Sequence, residues 1–162
     1  MAANVKWILD REGPQARVFL WGRNQDVSRL PGQMGESLSR MLGSQQYSIG
    51  FEFNRGDFRS PGMTGVRIFT VEPAPPEYYA YALARTGSLV FFLDLSAMRG
   101  DEVLDRWLLS PHWMREYDGS YWRSRYFRKM NSVKAALPDL YDGLIFVEHL
   151  WPVAFAGGQP RQ

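Results

Sequence analysis

The stretch A-R-V-F-L-W-G-R-N-Q-D, residues 16–26, changes within a few positions from an apolar, β-prone run to a polar loop. Short runs rich in Val, Phe and Trp are typical of buried strands, so residues 16–21 predict such a strand. In open α/β sheets, ligands bind beyond the carboxyl ends of the strands. The polar residues Arg23, Asn24 and Asp26 are therefore the first candidates for a functional site.

Predicted helices and strands alternate on both sides of this stretch. Helical spacing of apolar residues, N-caps and glycine or proline stops predict helices around 5–9, over 34–42, after Pro76, after Asp101 and over 131–137. Strands are predicted at 16–21, 47–53, 66–71, 88–95 and 143–147, and residues 54–65 are predicted to form a loop. His112 is placed at a helix start.

This alternation indicates an α/β fold, with three α/β/α layers around a mixed, largely parallel sheet. The 162 residues are 45% hydrophobic and 22% charged, which is typical of one globular domain. We assign residues 1–156 to that domain and residues 157–162 to a flexible tail.

Composition excludes several classes of function. The chain has no cysteine, which rules out disulfides, thiolate metal sites and cysteine nucleophiles. The N-terminus has no signal-peptide pattern and no apolar run could cross a bilayer, so we expect a cytoplasmic protein without membrane contact. The net charge of +2 gives little support to nucleic-acid binding. Arg115–Lys129 interleaves cations with aromatic rings, which fits either a polyanion-binding surface or a segment packed on the core.

Two further polar positions follow predicted strands, namely Asp94 and Glu148-His149, and we expect them to converge with residues 23–26. The two histidines, His112 and His149, lack the close spacing of a zinc motif, so we predict no metal. No nucleophile elbow, phosphate-binding loop or dinucleotide-binding motif is present, and we predict no cofactor.

Several segments together resemble the erythromycin esterase family, which includes succinoglycan-biosynthesis-type proteins. The residues that carry the resemblance are M-A-A-N-V-K-W-I-L at 1–9, R-V-F-L-W-G-R-N-Q-D-V at 17–27, M-G at 34–35, I-G-F at 49–51, N-R-G-D-F at 54–58, F-L-D-L at 92–95 and Y-D-G-L-I-F-V at 141–147. Their order and spacing cover nearly the whole chain. The resemblance implies an α/β/α fold and the metal-independent hydrolysis of macrolide lactone esters, a reaction of antibiotic resistance.

The chain departs from the family pattern at the site itself. The resemblance places the two site histidines of the family on Arg23 and Asp26 and keeps only Asn24. Arginine does not release its proton in a protein, so Arg23 cannot act as a general base. The resemblance also corresponds only to the C-terminal half of the family fold, and the other catalytic His and Glu residues of the family belong to its N-terminal half.

We therefore expect a degenerate site that binds a small molecule or a partner chain, with a homo-oligomer or a chain supplying the missing half as partner. Asp26 and Arg23 are the catalytic candidates, and Asn24, Trp21, Asp94 and Glu52 are the candidate ligand-binding residues. The alternative is an active carboxylic-ester hydrolase with a rearranged site or a partner chain. A weaker possibility is polyanion binding through Arg115–Lys129.

Overall fold

A computed structural model of the protein describes residues 1–62, 65–97, 100–116 and 131–152. The helices are α1 (Ala2–Glu12), α2 (Asn24–Val27), α3 (Met34–Leu42), α4 (Tyr79–Ala84), α5 (Glu102–Leu108) and α6 (Leu137–Leu140), with a 3₁₀ turn at Gly43–Gln45. The strands are β1 (Ile49–Gly62), β2 (Gly65–Val71), β3 (Val90–Asp94), β4 (His112–Arg115), β5 (Ser132–Ala135) and β6 (Gly143–Leu150).

Four strands form one mixed sheet in the order β2-β1-β6-β3, and β4 pairs with β5 in a separate two-stranded sheet. The predicted α/β fold with a mixed sheet is confirmed. In the four-stranded sheet, β1 and β6 are parallel, whereas the outer pairs β1–β2 and β3–β6 are antiparallel. The antiparallel share is thus larger than the sequence suggested.

The long strand β1 serves two partners in succession. It pairs with β6 from Ile49 to Gly56 and with β2 from Gly56 onwards. Gly56 stands at the crossover with a φ of 127°, and a side chain there would meet the carbonyl oxygen of Leu150 at 2.3 Å. Only glycine fits both the backbone conformation and the close approach. As a result, β2 leaves the opposite edge of β1 uncovered before Gly56.

One face of the sheet carries the main core. Leu144 and Phe146 of β6 are fully buried there against α4, α6 and β4. A smaller cluster joins α1 to α3 through Ala2, Val5 and Leu38. Because these residues recur at helical spacing, the sequence predicted both helices, and Gly13 and Gly43 follow their last residues as expected.

The other face of the sheet is apolar but incompletely covered. It carries Phe51 of β1, Ile145 and Val147 of β6, and Val90 and Phe92 of β3. None of these five residues belongs to either buried cluster in the part of the chain that the structure describes. Val90 is 64% exposed and Phe92 is 51% exposed, which is unusual for strand residues of this type.

Most other predicted elements are confirmed, including the strands within 47–53, 66–71, 88–95 and 143–147 and the helix after Pro76. Asp101 is the N-cap of α5, and its side chain accepts hydrogen bonds from the backbone N–H groups of Val103 (2.9 Å) and Leu104 (3.0 Å). This arrangement satisfies two of the donors that a helix start leaves open.

The prediction of a buried strand at residues 16–21 is wrong. The segment forms no regular secondary structure, pairs with no described strand, and exposes 82% of Phe19 and 78% of Trp21. Strand propensity alone does not form a strand, because the ladder hydrogen bonds require a neighbour. No described segment supplies that neighbour.

Three local predictions are also wrong. Residues 54–62 continue β1 instead of forming a loop, since the hairpin with β2 satisfies their backbone groups despite the glycines. Residues 132–135 form the strand β5 instead of a helix. His112 is not at a helix start but begins β4, the strand that pairs with β5. The predicted tail, 157–162, lies outside the described residues.

We expect Leu144→Ala to lower the free energy of unfolding by about 2–5 kcal/mol, because Leu144 is 0% exposed and its truncation leaves a cavity. Leu109→Ala is the matched control: Leu109 is 65% exposed, so a change within about 0.5 kcal/mol is expected. Urea unfolding of the three proteins measures both. Equal stability of the two variants would contradict the assignment of the core.

Candidate functional site

Asn24 attaches the polar loop to the sheet. Its side-chain amide donates to the carbonyl oxygen of Phe51 (2.6 Å), and its Oδ1 accepts from the Phe51 N–H (2.9 Å). The backbone carbonyl of Asn24 also accepts a hydrogen bond from the Tyr141 hydroxyl (3.1 Å). The amide of Asn24 thus replaces a neighbouring strand at the edge of β1 that β2 leaves free.

Arg23 and Asp26 form a bidentate ion pair at the start of α2. Arg23 Nε donates to Asp26 Oδ2 (3.0 Å) and its Nη2 donates to Oδ1 (3.0 Å). The hydrogen bonds from the Arg23 side chain hold the pKa of Asp26 below its ordinary value. Asp26 is therefore ionised at neutral pH, and the guanidinium occupies both of its oxygens.

Glu52 lies one residue further along β1, with its side chain in the interior and only 1% exposed. Its Oε1 accepts from the backbone N–H of Phe53 (2.9 Å), and its Oε2 accepts from that of Arg115 (3.1 Å). Burial disfavours the charged form and raises the pKa of Glu52 to about 8. Glu52 therefore carries a proton through most of the neutral range.

Arg115 and Glu116 at the end of β4 complete this arrangement. The Arg115 guanidinium lies over the rings of Phe53 (5.2 Å) and Tyr78 (5.9 Å) and donates to the carbonyl oxygen of Glu72 (2.9 Å). Glu116 Oε1 accepts from the backbone N–H of Gln25 in α2 (3.0 Å). Hydrogen bonds and chain neighbours therefore connect α2, β1 and β4.

We call this group the edge cluster, and it consists of Arg23, Asn24, Asp26, Glu52, Arg115 and Glu116. It combines two guanidinium groups, three carboxyl groups and one amide. Such a set can hold an anionic or hydrogen-bonding group and, where a carboxyl has a near-neutral pKa, can transfer a proton. It contains no thiol, hydroxyl or imidazole nucleophile.

Sequence reasoning missed Arg115 and Glu116 as members of the site. It placed Arg115 in a basic-aromatic run and did not assign Glu116 to any site. The two large apolar residues just before Arg115, Trp113 and Met114, were the available signal for a strand that ends in polar residues. Residues 117–130 of the run lie outside the described part of the chain.

The structure separates the other candidates from the edge cluster to different degrees. The exposed Trp21 remains close, with its ring 5.6 Å from that of Phe51. Asp94 lies at the far end of β3, opposite Gly143, and accepts from the Ser96 hydroxyl (2.6 Å) and N–H (3.0 Å). Those hydrogen bonds lower the pKa of Asp94.

The expected convergence of three strand ends is wrong. Because β3 runs antiparallel to β6, Asp94 pairs with the first residue of β6, whereas Glu148 and His149 are near its last. Glu148 binds the Asn54 amide (3.0 Å) and Arg55 (3.2 Å), and His149 stacks on Trp151 (4.4 Å). These contacts hold the strand ends in place and are separate from the edge cluster.

Neither a metal site nor a membrane-spanning helix is found in residues 1–62, 65–97, 100–116 and 131–152. They contain no group of three or more His, Asp or Glu side chains arranged to hold a metal ion. No helix among them has both the length and the apolar character needed to cross a membrane. His112 packs edge-on against the ring of Tyr79 (5.0 Å).

Solved structures share this fold. A Bacillus cereus protein superposes with a TM-score of 0.75 at 21% identity, and the match covers 91% of this chain and 36% of that one. A succinoglycan biosynthesis protein gives the same TM-score and coverages at 17% identity. The chain thus spans about a third of the length of each solved relative.

The fold is a mixed α/β domain, and the edge cluster lies along one edge of its sheet. The sequence model for erythromycin esterase matches residues 1–150, and the chain belongs to the erythromycin esterase family. It is 26% identical over 167 residues to "Putative hydrolase YbfO" of Bacillus subtilis (strain 168), covering 94% of this chain and 34% of that protein. The resemblance inferred from the sequence motifs is confirmed.

Glu52 predicts a pH dependence of stability. Its pKa is raised from 4.5 to about 8, so the folded protein holds a proton that the unfolded chain releases within this window. Stability is then highest below the unfolded value and falls as pH rises through the window, by up to about 1.4 kcal/mol per pH unit. Glu52→Gln is expected to flatten this slope, even though the amide loses one acceptor oxygen.

Urea unfolding at pH values from about 5 to about 9 measures the slope. Glu148→Gln is the control, because Glu148 is a half-buried carboxylate of the same sheet outside the edge cluster, and it should keep the wild-type slope. Parallel profiles for wild type and Glu52→Gln would show that Glu52 does not titrate in this way.

Proposed function

We propose that the chain is a hydrolase-like domain of the erythromycin esterase family that is catalytically degenerate in isolation and binds a small molecule or a partner. The Arg23–Asp26 ion pair is the observation that carries this proposal. It occupies the positions to which the family resemblance assigns two site histidines, and its bidentate geometry satisfies both partners.

The ion pair is poorly suited to general-base catalysis. A base must be able to accept a proton near the working pH, and a guanidinium cannot do so. Asp26 could accept one, but the lowered pKa of Asp26 makes it a weak base. Removal of a well-placed general base costs about 10²–10⁴ in rate, so the pair is expected to abolish useful turnover.

A binding role uses the same groups without requiring proton transfer. Trp21 offers an exposed aromatic surface beside Phe51, and the half-buried Asn24 and exposed Arg23 lie at the same edge. Aromatic surfaces with a few fixed polar groups are typical of small-molecule sites. The ligand class that fits is a compact molecule with an apolar body and hydrogen-bonding groups. A cytoplasmic location and a role in antibiotic resistance stay predictions.

We expect the isolated chain to leave erythromycin intact, with no ring-opened product by mass spectrometry above a protein-free control, because neither Arg23 nor Asp26 can act as an effective general base. The double substitution Arg23→His and Asp26→His tests whether the ion pair is the cause of the inactivity, because it restores the two histidines at the positions that the family resemblance assigns to them. If the ion pair is the cause of inactivity, only the double variant gains turnover when the rest of the family fold is present. Turnover by the unmodified isolated chain would overturn the proposal.

A second candidate function is that of an active carboxylic-ester hydrolase that requires the remainder of the family fold. The buried Glu52 favours it, because a carboxyl group with a pKa of about 8 beside Arg115 and Glu116 resembles the tuned acids of hydrolytic enzymes. Glu52 is only 1% exposed, so this candidate requires the edge cluster to open toward the substrate.

This second candidate has its own test. With the rest of the family fold present, turnover should appear in the unmodified chain and fall by about 10²-fold or more in Glu52→Gln. Glu148→Gln serves as the control and should retain the activity. Equal activity of both variants would exclude Glu52 as the acid or base.

A further inference from the structure

Among the described residues, nothing pairs with the outer edge of β3, which is the last strand of the sheet. Its sequence, V-F-F-L-D, contains no lysine or proline, and its one charge stands at the end. Natural proteins guard such edges with charges, bulges or covering segments. This edge therefore has the properties of one that another strand covers.

The incompletely covered sheet face adjoins that edge. Val90 (64% exposed) and Phe92 (51%) of β3 and Phe51 (39%) of β1 lie on this face, with Ile145 and Val147 of β6 between them. Contiguous apolar surface of this kind marks an interaction site in a soluble protein. A partner that covers both features must provide a strand to pair with β3 and a layer of apolar residues to pack on the sheet face.

The segment 16–21, which forms no strand, is a third feature of this surface. It is rich in β-prone residues, its Phe19 is 82% exposed, and Trp21 contacts Phe51 on the same sheet face. With strands spaced about 4.8 Å apart, this contact on β1 is roughly 10 Å from β3. A single added strand at β3 therefore cannot cover it.

From these three features we infer that β3, the exposed sheet face and the segment 16–21 form one docking surface for the portion of the erythromycin esterase fold that this chain does not span. The inference rests on the proposed function, since it names the partner of that domain. The solved relatives reproduce this fold while the matched part is only 36% of their length, so nearly two thirds of their chain has no counterpart here.

A second copy of this chain fits the surface less well. Antiparallel pairing of two β3 strands about a two-fold axis would extend the sheet but would leave the apolar layer over Phe51 and Trp21 missing. A polypeptide with nearly twice the mass of this chain can supply a strand and a layer together. It can belong to the same polypeptide or to a separate one.

The test uses this chain together with the complementary family segment encoded in the same genome, expressed as a separate polypeptide. A 1:1 complex is expected by size-exclusion chromatography with light scattering. Hydrogen exchange at the amides of 17–21 and 90–94 should slow by about tenfold or more in the complex, because these backbones become paired. Val90→Asp should weaken the complex by about tenfold or more, since it buries a charge.

Val103→Asp is the matched control. Val103 is 79% exposed on α5, which packs on the opposite face of the sheet, so the complex should keep its affinity. A homodimer formed through β3, equal weakening by both variants, or a complex without protection at both segments would overturn the inference. So would the absence of a complementary segment from the genome. Complex formation is scored independently of ester turnover, so a failure of docking and a failure of the proposed function are distinguishable.

Discussion

The parallel pairing of β1 with β6 organises the rest of the structure. It joins residues almost one hundred positions apart, Ile49 with Gly143 and onward to Gly56 with Leu150. Every functional feature is placed relative to this pair: the main core on one face, the exposed apolar surface on the other, and the edge cluster along the free side of β1. The hydrogen bonds of Glu52 with Arg115 and of Asn24 with Phe51 both involve β1.

The edge cluster shows how buried polarity is tolerated in such a small domain. Burial of a carboxyl group is costly unless its oxygens are bonded, and both oxygens of Glu52 receive backbone N–H groups. The raised pKa of Glu52 reports the part of the desolvation cost that these two bonds do not offset. Arg23 and Asp26, in contrast, avoid the cost of burial, since they remain near the surface and neutralise each other's charge. The site thus contains one carboxyl that holds its proton, Glu52, and one ion-paired carboxylate, Asp26.

The sequence predicted well what depends on local pattern. The apolar spacing of Val5 and Leu38, the cap at Asp101 and the continuous apolar run at 143–147 each determine an element without help from distant residues. The sequence-based predictions were wrong where the structure of a segment depends on pairing with a segment distant in sequence. Residues 16–21 have the higher strand propensity, but of the two segments only 132–135 has a pairing partner, β4, among the described residues. The same limit applied to the site: Asn24 and Glu52 were identified, whereas Arg115 and Glu116 were missed because their relation to α2 and β1 exists only after folding.

Asn24 couples the loop to the sheet through both backbone groups of Phe51. Its one amide group satisfies two peptide groups of Phe51, so the loop cannot swing outward without leaving both in water or unpaired. The net value of two such bonds is about 1–3 kcal/mol, which keeps the released form a minority of the population. Release of Asn24 from Phe51 would then control access to the interior beside Glu52. The backbone amide of Phe51 would report that release.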